Sequence, residues 1–394
     1  GYGALSATES GTQNVGVGVS ALTTNTTGDY NTALGTYALL DSTTGAHNTA
    51  LGKSALENNT TASYNTAVGS NTLYPTTTGH SNVAVGYAAL NANTTGQENT
   101  ALGAQALITS TTANNNVAVG RQAMYANTTG SSNTAVGAYA LDANVTDEGN
   151  TAIGSYALTT SNGGASNTAV GNGALNDLTT ADNNTAVGRL ALYSVNSGDG
   201  NVAVGKDAGD SITTGDSNIC IGQNSNPSAN DAEHQTVIGH DFTGNGDNKV
   251  SIGSAGGYVW NSYTVNNTWT QVSDERTKKN IESDALGLEF INKLRPVTFN
   301  WRHSTEIDPE FIEETVNIGR GEKDTETLIH GLIAQEVKAA MDEVGNDTFN
   351  GWEEGQDGQA VSREMFVTPL IKAVQELSNQ VTALQAEVTK LKGE

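Results

Sequence analysis

Apolar positions recur at a fixed spacing of 17 residues through the first 239 residues of the chain. The pentapeptide NTALG at Asn31 returns at Asn48, and close variants occupy every seventeenth position from Asn14 to Gln235, which gives fourteen copies. No insertion interrupts the series. A repeat of constant length predicts stacked identical units, because each unit can bury its apolar face only against its neighbours.

The pentapeptide alternates in a way that predicts a short β-strand. Its second residue is Thr, Val or Ile and its fourth is Val, Leu or Ile, and such side chains favour a pleated strand. The third residue, on the opposite face, is Ala in eleven of the fourteen copies. Since both faces are apolar, we expect both to be buried, with the alanine face close to the backbone of neighbouring chains.

A second apolar row completes the unit. Four residues after the pentapeptide glycine stands a Leu, or once a Met, at positions 22 through 192, and a polar turn such as NTTG follows. Strand, turn, apolar contact and turn describe one coil of a parallel β-solenoid, and fourteen coils extend about 65 Å. A 17-residue coil encloses little core, so we expect three chains to share one. The predicted fold is mainly β, with a trimeric parallel β-roll as its shaft.

The regular repeat is expected to end near residue 240, because VSIG closes at Gly253, fourteen residues after Gly239 instead of seventeen. The next stretch contains Trp260 and Trp269, which favour an aromatic neck where chains pack together. The predicted domains are a shaft at 1–239, this neck at 240–272, a small α+β domain at 273–366 and a coiled coil at 367–394.

Beyond residue 273 the periodicity becomes mixed, which is typical of a small α+β domain. Leu286, Phe290 and Leu294 lie on one face of an expected helix, for which Ser283 or Asp284 is the expected N-cap. The other expected elements are a strand at 297–301, an acidic loop at 303–327, a strand at 330–334 and a short helix at 335–341.

The C-terminal segment predicts a coiled-coil helix. Spacings of four and three alternate along it, and Val or Leu fills every core position, namely Leu370, Val374, Leu377, Val381, Leu384, Val388 and Leu391. Thr368 and Pro369 suit the N-cap and the first helical position. A surface helix packing on its own domain is the alternative, but the absence of a polar core position favours association with partner helices.

Composition narrows the choice of partners. The formal net charge of −24 argues against nucleic acid or an anionic membrane surface as a partner. No apolar run is long enough to predict membrane insertion. The six histidines are dispersed, and Cys220 falls in the alanine row as an expected core thiol, so we expect no metal and no cofactor. Residue 1 already lies inside a repeat, so we interpret the chain as the C-terminal part of a longer protein.

Four motifs, SDERTKKNI, LRPVTFNW, GLIAQEV and PLIKAVQEL, follow one another in this order. Together they resemble the C-terminal intramolecular chaperone autoprotease domain of phage tailspikes, endosialidases and tail fibres. The resemblance implies a homotrimer, assisted folding of the preceding fibre, and self-cleavage between Val272 and Ser273, with Ser273 as nucleophile and Lys278 as base. REMF at 363–366 departs from the tyrosine-containing segment of relatives, which leaves the packing before the last helix open.

The repeat itself resembles the NSVAIG-type repeats in the heads of trimeric autotransporter adhesins, where coils are typically shorter. Whereas the repeat taken alone favours a bacterial adhesin, the resemblance to the autoprotease domain implies a bacteriophage tail fibre, assembled in the host cytoplasm as part of the virion. Its expected partner is a host cell-surface receptor, a glycan or an outer-membrane component. A bacterial trimeric surface adhesin and a polysaccharide-degrading tailspike are the alternatives. The tailspike would need paired carboxylates on one face, whereas the acids here are spread over turn positions.

The chemistry of SDERTKKN makes its own demands. A serine hydroxyl is a poor nucleophile until a base removes its proton, and lysine can do this only where burial or nearby positive charge lowers its pKa. Arg276 and Lys279 could supply that charge. Five residues of helix or strand place Ser273 and Lys278 on different faces, so we expect them to meet across a bend or between chains. Cleavage should then follow assembly, once per chain; a solvated linker is the alternative interpretation.

Overall fold

The computed structural model of the chain describes residues 1–263, 270–271, 279–300, 302, 326, 328–355 and 358–393. The chain divides into two compact units, Gly1–Ser273 and Asp274–Glu394. The first unit is a β-solenoid of 17-residue coils, and the second is a small α/β unit that carries a long C-terminal helix. The predicted mainly β solenoid, the small mixed domain and the C-terminal helix are confirmed, whereas the trimer and the coiled coil stay predictions.

One three-residue strand per coil builds the solenoid. These strands are β1 Val15–Val17, β2 Thr32–Leu34, β3 Thr49–Leu51, β4 Thr66–Val68, β5 Val83–Val85, β6 Thr100–Leu102, β7 Val117–Val119, β8 Thr134–Val136, β9 Thr151–Ile153, β10 Thr168–Val170, β11 Thr185–Val187, β12 Val202–Val204 and β13 Ile219–Ile221. Each pairs in parallel with the strand 17 residues on, so that Ala33 lies beside Ala50. The stack continues through β15 Thr236–His240, and β14 Ser225–Asn226 pairs with β16 Phe242–Thr243 beside it.

The prediction that the alanine face of each strand lies against neighbouring chains is wrong. The alanine of each strand points into its own coil, where Ala33 packs in one core with the leucine row that includes Leu39, and both are fully buried. The second and fourth residues of the pentapeptide point outwards, and Leu34 is 46% exposed. The close neighbour of the alanine is therefore the same chain, because a coil this thin has room only for a methyl group opposite the leucines.

Buried asparagines join each coil to the previous one. The backbone N–H of Asn48 donates to Asn31 Oδ1 at 2.9 Å, while Asn48 Nδ2 donates to the carbonyl oxygen of Ala62 at 2.9 Å. The same bonds recur along the row from Asn14 to Asn218. Since a buried amide is costly unless it is hydrogen-bonded, this ladder explains why asparagine returns at every step.

The unbroken glycine at the end of the pentapeptide has a steric cause. Gly18 and Gly35 have φ values of 140° and 142°, in a region that side chains rarely adopt. A Cβ atom on Gly18 would overlap the carbonyl group of Gly35 in the next coil. Any larger residue would therefore force adjacent coils apart.

The column of parallel strands ends in an antiparallel meander. Strand β17, Lys249–Ser254, pairs with β15 at the predicted shift of fourteen residues, which sets Gly239 beside Gly253. Strand β18, Gly257–Ser262, then runs antiparallel to β17, and β19, Thr270–Gln271, runs antiparallel to β18. The Lys249 ammonium lies 4.6 Å from the ring centroid of Trp260, whereas Trp269 lies outside the described residues.

The second unit surrounds a separate core. Its elements are α1 Leu288–Lys293, β20 Val297–Phe299, β21 Ile329–Gly331, α2 Ala334–Glu343, β22 Trp352–Gly355, β23 Gly358–Val361, a 3-10 helix at Arg363–Phe366 and α3 Val367–Leu391. Strands β20 and β21 pair antiparallel, as do β22 and β23. Phe366 packs against Phe290 and Phe349, with ring centroids 6.2 and 4.9 Å away. The REMF segment therefore supplies a core side chain.

Three boundaries in this unit differ from the prediction. Helix α1 begins after Gly287, and Asp284 Oδ1 accepts a hydrogen bond from the Leu286 N–H at 2.9 Å in a turn, so neither Ser283 nor Asp284 caps the helix. The expected strand at 330–334 is β21, which ends at Gly331, because α2 begins at Ala334. Helix α3 begins at Val367, directly after the 3-10 helix, so Thr368 is not its N-cap. The expected strand at 297–301 is confirmed as β20, which ends at Phe299, and the helix at 335–341 is confirmed as α2. Apart from residue 326, the expected acidic loop at 303–327 lies outside the described residues.

Candidate cleavage segment and assembly surfaces

The predicted cleavage segment lies between the described parts of the two units. Val272, Ser273 and Lys278 fall outside the described residues, so the assignment of nucleophile and base stays a prediction. On one side of them the chain leaves β19 at Gln271. On the other side Asn280 has a left-handed φ of 55°, and the chain continues without regular structure to the buried Leu286.

A carboxylate distant in sequence fixes the start of α1. Glu376, in helix α3, accepts a hydrogen bond from the Leu288 N–H at 2.7 Å. A Cβ atom on Gly287 would lie 2.5 Å from Glu376 Oε2, so glycine is required for the carboxylate to approach. The capping carboxylate comes from 88 residues away instead of from a neighbouring Ser or Asp, so no local sequence pattern predicts it. It joins the PLIKAVQEL motif to the chain that follows SDERTKKNI.

An ion pair joins the other two motifs. Arg295 of LRPVTFNW donates through Nε to Glu336 Oε2 at 3.1 Å, and through Nη2 to Oε1, where Glu336 belongs to GLIAQEV. The hydrogen bond from Arg295 lowers the pKa of Glu336. A second pair, Lys293 Nζ to Glu343 Oε2 at 2.8 Å, raises the pKa of Lys293 and also connects α1 with α2.

The solenoid presents one exposed apolar surface along its length. We call this surface, made by the second and fourth residues of each pentapeptide, the outer strand face. Val17, Leu34 and Ile221 are 51%, 46% and 39% exposed, and the other fourth residues are exposed or half-buried, beside second residues that are Thr, Val or Ile. An apolar stripe of this length is unusual for a surface that faces water. Sequence alternation indicated the face but not the direction in which it points.

Helix α3 presents a second such surface. We call the residues Leu370, Val374, Leu377, Val381, Leu384, Val388 and Leu391 the α3 stripe; each of them is exposed. The helix touches its own unit elsewhere, through the buried Pro369 and Ala373 and through Glu376. The alternative of a helix whose apolar stripe packs on its own domain is therefore wrong for the described chain.

The single cysteine of the chain is part of the solenoid core. Cys220 is fully buried in the alanine row, and burial together with the nearby Asp210 raises the pKa of its thiol to about 12. Within the part of the chain that the structure describes, no group of three or more His, Cys, Asp or Glu side chains is placed to hold a metal ion. No described helix has the length and apolar character needed to cross a membrane.

Comparison with known proteins gives a match in the segment that follows the solenoid. Neither the curated proteins nor the solved structures give a match to the chain. A family model does match, and it begins at the predicted nucleophile and includes three of the four motifs. Residues 273–346, which are well under half of the chain, match the model of the peptidase family described as chaperone of endosialidase.

Proposed function

We propose that the chain is a segment of a bacteriophage tail fibre whose C-terminal domain directs trimerisation and folding of the shaft and then releases itself. The observation that carries this proposal is the position of the chaperone-of-endosialidase match, which begins after a regular β-solenoid and the antiparallel meander that ends it. A domain of this kind has a clear task here, because a stack of near-identical coils can pair in many wrong registers before it finds the right one.

Two exposed surfaces support a homotrimer. The outer strand face belongs to the solenoid and the α3 stripe to the C-terminal unit, so each unit offers an apolar surface to partner chains. The outer strand face follows the direction in which the coils stack, and the α3 stripe follows the axis of its helix. In each unit, association of parallel copies buries the apolar surface of every copy at once. The alanine face, which we had expected between chains, is already buried within each coil.

The proposed cleavage is a single transfer within each chain. The neutral amine of Lys278 takes the proton from Ser273 Oγ, which attacks the carbonyl carbon of Val272. The Val272–Ser273 C–N bond breaks, the released amine takes the proton from Lys278, and the acyl group remains as an ester on Ser273 Oγ. Water then hydrolyses the ester and frees the Val272 carboxylate. Assembly provides the burial that Lys278 needs in order to lose its proton.

Expression of the full chain and two variants tests this chemistry. The parent chain should give fragments 1–272 and 273–394 on a denaturing gel, and mass spectrometry should place the new ends at Val272 and Ser273. Ser273→Ala and Lys278→Ala should each remain full-length. Ser283→Ala is the matched control, since this serine is exposed, lies ten residues beyond Ser273 and has no part in the proposed reaction, so cleavage should stay intact. Cleavage at the same bond in Ser273→Ala would disprove the assignment.

A further inference from the structure

The basic residues of the shaft share one position in the repeat. The first 239 residues contain four, Lys53, Arg121, Arg189 and Lys206, and each directly follows the glycine that closes a pentapeptide. All four are exposed. They stand two residues beyond the end of a strand, along one edge of the outer strand face, and we call this column the basic rim.

The basic rim has few partners in its own chain. Lys206 pairs with the adjacent Asp207 at 2.9 Å, and the Arg121 guanidinium lies 5.3 Å from the ring centroid of Tyr139. Within the described residues, Lys53 and Arg189 form no ion pair. In a shaft of strongly negative overall charge, cations confined to one column indicate a specific counterpart.

Carboxylates gather at the opposite edge of the same strands. Six of them stand three residues before a strand and form what we call the acidic rim: Asp29, Glu148, Asp182, Asp199, Asp216 and Glu233. The remaining acidic residues of the shaft lie at other positions of the coil, whereas all four basic residues lie in the basic rim. The outer strand face is therefore bordered by positive charge on one side and by negative charge on the other.

Three of these carboxylates are held in line. One oxygen of Asp182, Asp199 and Asp216 accepts the backbone N–H of the residue at the same repeat position one coil earlier, each at 2.7 Å. Successive coils lie about 4.8 Å apart, so like charges repel along this column. Cations at the same level would relieve that repulsion.

We propose that, in the trimer, the basic rim of each protomer lies against the acidic rim of the next protomer. Parallel copies arranged around an axis along the rod bring one edge of each face to the opposite edge of its neighbour, so opposite charges meet at every interface. An antiparallel pair of faces would instead set base against base and acid against acid. The rims thus select parallel association of the apolar faces.

The levels of the charges agree with this arrangement for two of the four basic residues, whereas β3 and β7, which precede Lys53 and Arg121, carry Ala46 and Asn114 at the acidic-rim position. Asp182 and Arg189 flank β11, and Asp199 and Lys206 flank β12, so aligned chains place opposite charges at the same height. This double match lies in the eleventh and twelfth of the fourteen coils, in the half of the shaft that is nearer in sequence to the chaperone segment. Exposed ion pairs add little stability, but they bias which encounters lead to assembly.

Disulfide cross-linking tests the proposal, which rests on the trimer proposed above. In a Cys220→Ala background, Arg189→Cys is combined in turn with Asp182→Cys, Asp199→Cys and Asp216→Cys, and the oxidised chains are run on a non-reducing denaturing gel. At least one pair should give covalent trimers, and the pair that does so reports the offset between chains. A link within one chain is excluded because strand β11 separates residues 182 and 189, whereas a disulfide needs Cα atoms within about 7 Å.

A matched control distinguishes cross-links at the rim contact from cross-links formed by random encounters between chains. Thr160 is exposed and stands seven residues beyond the end of β9, at neither rim position, so Arg189→Cys with Thr160→Cys should remain as single chains. Sedimentation of the same samples separates the two proposals. A trimer in solution with no covalent product from any rim pair would overturn the rim contact and leave the trimer standing. A parent chain that sediments as a monomer would overturn both.

Discussion

The guanidinium group of Arg295 donates hydrogen bonds to both carboxylate oxygens of Glu336, and this pair joins two of the four C-terminal motifs. Arg295 lies between α1 and β20, and Glu336 lies in the first turn of α2. Two parallel hydrogen bonds fix an angle as well as a distance, so the pair sets the orientation of α2 relative to the chain entering β20.

Acid should weaken the second unit through this pair. Because the pKa of Glu336 is lower in the folded chain than in the unfolded chain, its contribution is complete above the ordinary pKa of a glutamate and is lost as pH falls through the folded value. The effect should be small, since the pair is exposed. Denaturant unfolding at neutral and acidic pH should show that Glu336→Gln loses less stability on acidification than the parent chain does.

Glu353→Gln is the control for this measurement, because Glu353 is an exposed carboxylate of the same unit that has no ion pair among the described residues. It should keep the acid dependence of the parent chain. If Glu336→Gln and the parent chain respond equally to acid, the pair does not contribute to folding.

Substitution of any buried asparagine in the ladder should lower the stability of the shaft. Asn116 Oδ1 accepts the backbone N–H of Asn133 at 2.9 Å, and its Nδ2 donates to the Gly130 carbonyl oxygen at 2.9 Å. Asn116→Ala would leave the Asn133 N–H unpaired inside the rod, whereas the Gly130 carbonyl oxygen would keep the Asn127 Nδ2 donor, so the change should cost about 2 kcal/mol of unfolding free energy. Thr112→Ala, at an exposed turn position, should cost less than about 0.5 kcal/mol. Denaturant unfolding compares them, and equal stability would show that the ladder tolerates a missing step.

The difference between what the sequence predicts and what it leaves open follows from the range of each interaction. The 17-residue period is local, so the coil, its strand and the shortened step to Gly253 could be predicted. The direction of the alanine face could not, because alternation defines two faces without saying which one lies inside. The cap of α1 comes from Glu376 through a tertiary contact, which no nearby residue signals. The confinement of the bases to one column is visible in the sequence, but its meaning depends on knowing that the strand face beside it points outwards.

The thiol of Cys220 should remain protonated until strongly alkaline pH. Burial raises its pKa from 9.0 to about 12 in the folded chain, so the unfolded chain releases this proton first. Stability should then fall between about pH 9 and pH 12 by about 1.4 kcal/mol per pH unit. Cys220→Ala restores the residue found in eleven other copies and should remove this part of the alkaline loss. A native thiol that reacts with a polar alkylating reagent at pH 8 as fast as a free cysteine would contradict the burial.

Assembly through the α3 stripe should be separable from folding of the single chain. Leu384 is 60% exposed, so Leu384→Lys should leave the isolated unit folded while removing about 2 kcal/mol of burial per chain from the assembled helices. We expect this variant to sediment as smaller species and, because Ser273 and Lys278 are proposed to meet only after assembly, to remain uncleaved. Asn379→Lys, at an outward position of the same helix, should assemble and cleave like the parent chain. A cleaved monomer of Leu384→Lys would show that the cut needs no partner chain, whereas an uncleaved trimer would separate the coiled coil from the timing of the reaction.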